Sequence, residues 1–248
     1  MSETRTRNTF ISFSAFFTAV ALLFCFAGIR YSMSEKDTAI TAEPLSSFPT
    51  IVIDAGHGGE DGGASLYGGA PEKELNLQIS NNLRDMLMLL GFKVVMTRTD
   101  DTLLYDKNSD YHGHKKSMDL ANRLKIARET ENAVLISIHM NAFPETKYSG
   151  LQVYYSKNEA NSQNLALLVQ ELNKSLLSPE NERKIKQAGS NIYLLDRFEG
   201  TAILIECGFL SNDSERGLLN TEEYRQKLAA VFLSAIIKFT SENENNAK

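Results

Sequence analysis

The chain has 248 residues, of which 42% are hydrophobic and 23% are charged, and its formal net charge is −5. These values are typical of a globular domain with a short appendage. A protein that neutralises a nucleic-acid backbone normally carries a basic stripe, and the sequence has none, so nucleic acid is excluded as a partner.

The first 33 residues differ in composition from the rest of the chain. Arg5 and Arg7 precede an uncharged stretch, residues 8–29, that is rich in phenylalanine and leucine. A basic start followed by an apolar run is typical of a signal peptide, and the run is also long enough to cross a bilayer. Residues 1–33 are therefore predicted to be a signal peptide or an N-terminal membrane anchor, and the protein to be exported.

The remaining chain divides into three parts. Residues 34–49 are small and polar with two prolines, which predicts a linker, and residues 241–248 predict a disordered tail. Residues 50–240 are long enough to fold as one domain. Cys207 is the one cysteine of that domain, so no internal disulfide can form, and stability must come from the core or from a bound metal.

Strand-like and helix-like segments alternate within the domain. Short apolar runs rich in β-branched residues predict strands at 50–54, 92–97, 133–139, 150–155, 191–195 and 202–206. Apolar periodicity predicts helices at 72–90, 117–130, 159–177 and 221–239. The alternation predicts a single layered α/β domain, with a twisted, mostly parallel but mixed sheet of about six strands flanked by helices. The strand at 150–155 follows 133–139 by a short link, which favours antiparallel neighbours.

Three polar side chains stand where strands are predicted to end. His57 follows the first strand in a glycine-rich turn, His139 ends the third strand, and Glu206 ends the last one. Because ligands of open α/β sheets bind beyond the carboxyl ends of the strands, these side chains are predicted to share one site. Imidazole and carboxylate together form the ligand set of a catalytic zinc ion.

Glu72 is a further candidate ligand, at the start of the helix predicted at 72–90. It lies three residues before Leu75 on the apolar stripe of that helix, so its side chain is predicted to face inward. A buried unpaired charge costs several kcal/mol, and a metal ion would supply the missing partner. His57, Glu72 and His139 are thus the predicted metal ligands, which leaves a fourth zinc position for water.

Glu206 ends a fully apolar strand, where desolvation would raise the pKa of its carboxyl group toward the range useful for general acid–base catalysis. The alternative interpretation is a structural salt bridge with Arg98 or Arg197. Arg98 is also a candidate substrate contact, as is Asn141, which follows His139 closely.

Four other polar or reactive residues are expected to have ordinary structural roles. Asp54 ends the first strand and is expected to orient a ligand or cap the turn. His112 and His114 lie in a polar loop, where solvation is more common than metal binding. Cys207 is expected to be a small buried residue in preference to a nucleophile.

Five motifs follow one another along the chain: Ile51–Ala64, Glu72–Leu77, Thr97–Asp100, Ser137–Ala142 and Ile205–Asn212. Together they resemble the zinc-dependent N-acetylmuramoyl-L-alanine amidases of the Amidase_3 family, over about residues 50–239. The last motif and the apolar N-terminus are most similar to the germination-specific, spore-cortex (CwlD-like) branch of that family.

The resemblance implies roles for individual residues. His57, Glu72 and His139 would bind Zn²⁺, and Glu206 would be the catalytic glutamate. The implied reaction is hydrolysis of the amide between the lactyl group of N-acetylmuramic acid and L-alanine in peptidoglycan. In the cortex branch, the product feeds the formation of muramic-δ-lactam.

Two alternative functions remain open at the level of sequence. One is a zinc peptidase that acts on peptidoglycan stem peptides, and the other is a non-catalytic peptidoglycan-binding protein. No cell-wall-binding repeat flanks the domain. Localisation to the wall, the cortex or the membrane would therefore depend on the N-terminal segment or on a protein partner, acting as an activator or as a membrane tether.

Overall fold

The computed structural model describes residues 48–65, 69–106 and 114–246, so the predicted signal peptide or anchor at 1–33 lies outside the described residues. In chain order the elements are β1 (Thr50–Ala55), α1 (Glu72–Leu89), β2 (Val94–Met96), α2 (Lys115–Glu129), β3 (Ala133–Asn141), β4 (Gln152–Tyr155), α3 (Asn161–Leu176), β5 (Lys186–Gln187), α4 (Tyr193–Arg197), β6 (Ala202–Phe209), α5 (Asp213–Leu219) and α6 (Glu222–Asn246). None of the helices in these three ranges has the length and apolar character needed to span a bilayer.

The six strands form one sheet in the order β2-β1-β3-β6-β4-β5. Four of them are mutually parallel, because β1 pairs in parallel with β2 and β3, and β3 pairs in parallel with β6. β4 runs antiparallel to β6 and pairs in parallel with β5. The predicted α/β domain with a mixed, mostly parallel sheet is therefore confirmed.

The neighbour predicted for β4 is wrong, although its antiparallel direction is right. β4 lies against β6, and β6 occupies the place beside β3. The connection from β3 to β4 is long enough to cross the end of β6, so a connection of this length did not require the two strands to pair.

Two other predicted elements differ from the structure. The composition of residues 191–195 predicts a strand, but the short helix α4 begins at Tyr193, and the sixth strand is β5. Periodicity alone cannot separate a short buried helix from a buried strand. The composition of residues 241–248 predicts a disordered tail; α6 extends over residues 241–246 of this stretch, and residues 247–248 lie outside the described residues. Extending an existing helix avoids a new nucleation cost, so polar residues can prolong it.

Helices cover both faces of the sheet, as its parallel strands require. On one face α1, α3 and α6 pack against β1, β3 and β6, and this cluster includes Ile53, Ile79, Leu165, Ile205 and Phe232. On the other face α2 and α4 form a smaller cluster that includes Leu124, Leu135, Leu195 and Leu204. Along each strand, the residues between those of the larger cluster therefore point to the other face, toward α2 and α4. Near the carboxyl ends of the strands, these residues are polar.

Replacement of Phe232 by alanine tests this packing. Phe232 is fully buried on α6, so Phe232→Ala should lower the free energy of unfolding by about 3–5 kcal/mol. Ile237→Ala on the same helix is the matched control, because Ile237 is 40% exposed and should cost less than about 1 kcal/mol. Urea denaturation measures both variants, and equal losses would contradict the assigned orientation of α6.

Candidate active site and metal centre

His57, Glu72 and His139 converge at the carboxyl ends of the central strands. His57 lies in the turn after β1, Glu72 opens α1, and His139 lies near the end of β3. His57 Nε2 and His139 Nδ1 lie 3.2 and 3.1 Å from the same atom, Glu72 Oε1. The three ligand atoms all lie within 4.8 Å of one another, so the structure brings together the three residues that the sequence singled out.

The surroundings of Glu72 Oε1 fit a metal ion. Besides the two imidazoles, the main-chain nitrogen of Met140 lies 3.0 Å and Asn76 Nδ2 lies 3.4 Å from this oxygen. One carboxylate oxygen has about two lone-pair sites and cannot accept from four donors at once. In a tetrahedral zinc site with bonds of about 2.0–2.1 Å, neighbouring ligand atoms lie roughly 3.3 Å apart, close to the two separations between histidine and glutamate.

The carboxyl group of Glu72 is held in its ionised form. Burial opposes ionisation, but hydrogen bonds and charge from His139 and His57 hold the pKa of Glu72 far below its usual range. Its second oxygen, Oε2, accepts a hydrogen bond of 2.8 Å from the main chain of Ala64. Glu72 is 3% exposed, so this charge is stabilised by its partners and hardly by solvent.

Two glycines permit the close approach of the ligands. A Cβ atom on Gly56 would collide with the imidazole ring of His139. Gly63 has a φ of 66°, and a Cβ there would contact the carboxylate of Glu72. The glycine-rich turn is therefore required by the geometry of the cluster.

His57 itself adopts a left-handed backbone conformation with a φ of 63°, which is uncommon for residues other than glycine. The buried guanidinium of Arg123 secures this turn, because Nη2 donates to the carbonyl oxygen of His57 at 2.7 Å and Nη1 donates to that of Ala55 at 2.7 Å. His57 Nδ1 also lies 2.9 Å from Asp61 Oδ2, a contact that orients the ring. Arg123 and Asp61 are thus site residues that sequence reasoning missed.

Asp54 lies beneath the site and anchors the same guanidinium. Its carboxylate accepts hydrogen bonds from Arg123 Nη1 at 2.7 Å, Ser137 Oγ at 2.6 Å and Thr97 Oγ1 at 2.8 Å. Burial opposes ionisation, but Arg123 and the other partners lower the pKa of Asp54 to about 2. Asp119 Oδ2 accepts from Arg123 Nε at 2.7 Å, so two carboxylates balance the charge of this guanidinium.

Arg98 is buried and binds the main chain, and its predicted contact with substrate stays a prediction. The side chain is 3% exposed. Its nitrogen atoms donate to the main-chain carbonyl oxygens of Ala55, Gly56, Lys73 and Asp100. Arg98 therefore holds the turn after β1 against the start of α1, a role that a periodicity pattern cannot reveal.

Glu206 lies beside the cluster, directly opposite His139 in the register of β3 and β6. It lines a cavity of about 230 Å³ together with His57 and His139. Glu206 Oε2 is buried and has no hydrogen-bond partner, and among the described residues neither Arg98 nor Arg197 pairs with it. Burial raises the pKa of the Glu206 carboxyl group, with opposing contributions from nearby histidines.

The remaining candidates lie apart from the cluster. Asn141 lines a second cavity of about 240 Å³, on the far side of Glu206. His114 is exposed just before α2, and His112 lies outside the described residues. Cys207 is buried and carries a free thiol, whose pKa is raised by burial, as expected for a packing residue.

Comparison with known proteins adds to this geometry. Residues 51–238 match the family Amidase_3, N-acetylmuramoyl-L-alanine amidase. A germination-specific N-acetylmuramoyl-L-alanine amidase from Bacillus subtilis is 36% identical over 225 residues, which is 90% of this chain and 92% of that protein.

Two solved structures are similar in fold and in sequence. The CwlD amidase from Clostridioides difficile, solved in complex with the GerS lipoprotein, has a TM-score of 0.74 and 38% identity, over 78% of this chain and 98% of that one. The amidase AmiC2 of Nostoc punctiforme has a TM-score of 0.66 and 26% identity, over 77% of this chain and 96% of that one.

The unpartnered carboxylate of Glu206 should cost stability in the metal-free protein. Its folded-state pKa is raised above 4.5, so the folded state binds the proton more tightly, and stability falls as pH rises through the interval between the two pKa values. We expect Glu206→Gln to raise the midpoint of thermal unfolding at pH 7 and to change it less at pH 4. A loss of stability at pH 7 would contradict the cost assigned to this buried charge.

Proposed function

This chain belongs to the N-acetylmuramoyl-L-alanine amidase family, and we propose that it hydrolyses the amide between the lactyl group of N-acetylmuramic acid and L-alanine in spore-cortex peptidoglycan, as a zinc enzyme. The observation that carries the proposal is the convergence of His57, Glu72 and His139 beside the unpartnered carboxylate of Glu206. The similarity to a germination-specific amidase supports the choice of cortex as substrate and a step toward muramic-δ-lactam.

His57, Glu72 and His139 would hold the metal ion, through two imidazole nitrogens and one carboxylate oxygen. A zinc ion bound by three such ligands supplies an activated water and a Lewis acid for the amide carbonyl. The chain positions the ligands before any ion binds: Arg123 holds the turn of His57, and Glu72 is fixed by the main-chain nitrogens of Ala64 and Met140. Little rearrangement is therefore needed for binding.

Glu206 would be the catalytic residue. Its carboxylate accepts the proton of the attacking water and returns that proton to the L-alanine nitrogen as the amide bond breaks. The raised pKa suits both steps, because a carboxyl group whose pKa lies closer to the working pH can both accept a proton and give it back. Asn141, which lines the cavity over β4 and β5, would contact the substrate.

The substrate lies outside the cytoplasm, so we place the enzyme there too, on the membrane or in the cortex and forespore envelope. Residues 1–33 would export the chain as a cleaved signal peptide or retain it as an anchor, with residues 34–49 as linker and 50–240 as the amidase domain. A solved relative forms a complex with a lipoprotein, which supports a protein partner for this chain as well. A partner that binds the zinc-loaded protein more tightly than the metal-free protein would tighten metal binding by linkage.

Mass spectrometry of digested peptidoglycan tests the reaction. Zinc-loaded protein should release peptides that begin with L-alanine and leave glycan with free lactyl carboxyl groups. Glu206→Gln should retain zinc and lose at least about 10²-fold in turnover, because it lacks the base. Cleavage only inside the stem peptides would favour the alternative of a zinc peptidase, and binding without cleavage would favour a non-catalytic protein.

Zinc retention after dialysis tests the ligand set. His57→Ala, Glu72→Ala and His139→Ala each remove one ligand, and each should weaken zinc affinity by at least about 10-fold. His114→Ala is the matched control, because this exposed histidine lies outside the cluster and should leave the zinc content unchanged. A ligand variant with the zinc affinity of the control would remove that residue from the site.

A further inference from the structure

A second cavity lies next to Glu206, and apart from Asn141 its lining residues have no role in the proposed reaction. Its volume is about 240 Å³, and its lining consists of Asn141, Phe143, Tyr148, Gln152, Tyr154, Arg183, Lys186 and Phe209. Two of these side chains are cations, two are amides and four are aromatic, and none is acidic. The cavity therefore offers positive charge and hydrogen-bond donors beside aromatic surface.

The order of the strands places this cavity on the side of Glu206 that lies away from the His57, Glu72 and His139 cluster. Across the sheet, His57 follows β1, His139 ends β3, Glu206 ends β6, and the cavity lies over β4 and β5. Gln152 of β4 is the register partner of Glu206, and Tyr154 is the register partner of Lys186 on β5. Glu206 would protonate the leaving L-alanine nitrogen, so a peptide that leaves toward β4 and β5 passes over this cavity, with the glycan on the opposite side of Glu206.

Arg183 is held in place over the cavity, and one of its donor nitrogens has no partner among the described residues. Its Nε donates to the carbonyl oxygen of Ser149 at 2.7 Å, its Nη1 donates to Gln152 Oε1 at 3.0 Å, and its guanidinium lies 4.4 Å from the ring centre of Phe209. These contacts leave the second terminal nitrogen, Nη2, without a partner among the described residues. A guanidinium fixed in this way is suited to bind a carboxylate.

Lys186 adds a second positive charge on β5. It is exposed, and in the part of the chain that the structure describes it forms no ion pair. Other described lysines do form ion pairs, as Lys174 does with Glu182 at 2.9 Å. Arg183 and Lys186 form no ion pair among the described residues, although the charge of Glu215 also acts on Arg183. Two such cations at one cavity attract an anionic group of the substrate.

The reach of the substrate matches the position of these cations. Neighbouring strands lie about 4.8 Å apart, so β5 lies about 10 Å from β6 and Glu206. An extended peptide covers about 3.5 Å per residue, so the second or third residue of a stem peptide reaches β5 when its L-alanine nitrogen lies at Glu206. The glycan side of the scissile amide carries N-acetylated sugars without charge, whereas a peptide carries at least its terminal carboxylate.

We infer that Arg183 and Lys186 form a subsite for a carboxylate on the second or third residue of the stem peptide. This inference rests on the proposed amidase function and adds a specificity determinant to it. Gln152, held by Arg183, and Tyr154 form the floor between the subsite and Glu206. The enzyme accordingly selects substrates by the charge of the stem peptide.

Two synthetic substrates test the subsite: an N-acetylmuramoyl tripeptide with free peptide carboxylates, and the same compound with every carboxylate amidated. The wild-type enzyme should favour the free acid by about five- to tenfold in kcat/KM at low salt, mainly through KM. Lys186→Glu and Arg183→Gln should each reduce that ratio to about one. Raising the ionic strength should also reduce the ratio, because exposed charges are screened.

Lys238→Glu is the matched control, because it makes the same change of charge at an exposed position on α6 and should keep the ratio of the wild type. A wild-type ratio of one, or equal ratios for Lys186→Glu and Lys238→Glu, would overturn the subsite. Calorimetry measures the affinity of zinc-loaded Glu206→Gln for both compounds without catalysis. It therefore tests the carboxylate subsite separately from the amidase reaction. Selective binding without any release of peptide by the active enzyme would refute the amidase function and leave the subsite standing.

Discussion

The structure of the site depends on one buried carboxylate. Glu72 is almost fully shielded from solvent, and one of its oxygens lies within 3.2 Å of nitrogen atoms from both His57 and His139. A buried carboxylate is stable only if hydrogen-bond donors or positively charged groups lie next to it. Three segments must therefore meet at one point: the turn after β1, the start of α1 and the end of β3. Two glycines leave room for this close approach, and two buried arginines hold the turn after β1 in place.

The parts of the fold that follow from local patterns could be predicted from sequence. β1, β3 and β6 are short β-branched runs, and the residues that follow or end them mark the site because the carboxyl ends of parallel strands lie at one edge. Helical spacing placed Glu72 inward, since it continues the stripe of Leu75. Four side chains from distant parts of the chain could thus be assigned to one site before any contact was known.

Features that depend on long-range contacts could not be predicted. The hydrophobic run at 191–195 packs as the helix α4, although its composition fits a strand equally well, and β4 pairs with β6 because of a crossing that no local pattern encodes. Arg98 and Arg123 donate hydrogen bonds to main-chain carbonyl oxygens. Every residue has such a carbonyl group, so the sequence does not show which of them will accept these hydrogen bonds. The spacing of Asp119 and Arg123 is equally typical of an exposed helix pair.

The groups to which the proposal assigns roles lie on neighbouring strands. The cluster of His57, Glu72 and His139, then Glu206, then the cavity over β4 and β5 follow one another across the sheet. The most direct test of the central claim is a crystal structure of the zinc-loaded protein, with anomalous scattering measured on both sides of the zinc absorption edge. We expect one strong peak about 2.0–2.2 Å from His57 Nε2, Glu72 and His139 Nδ1, within reach of Glu206 through one water. A peak elsewhere, or one bound by fewer than these three side chains, would contradict it.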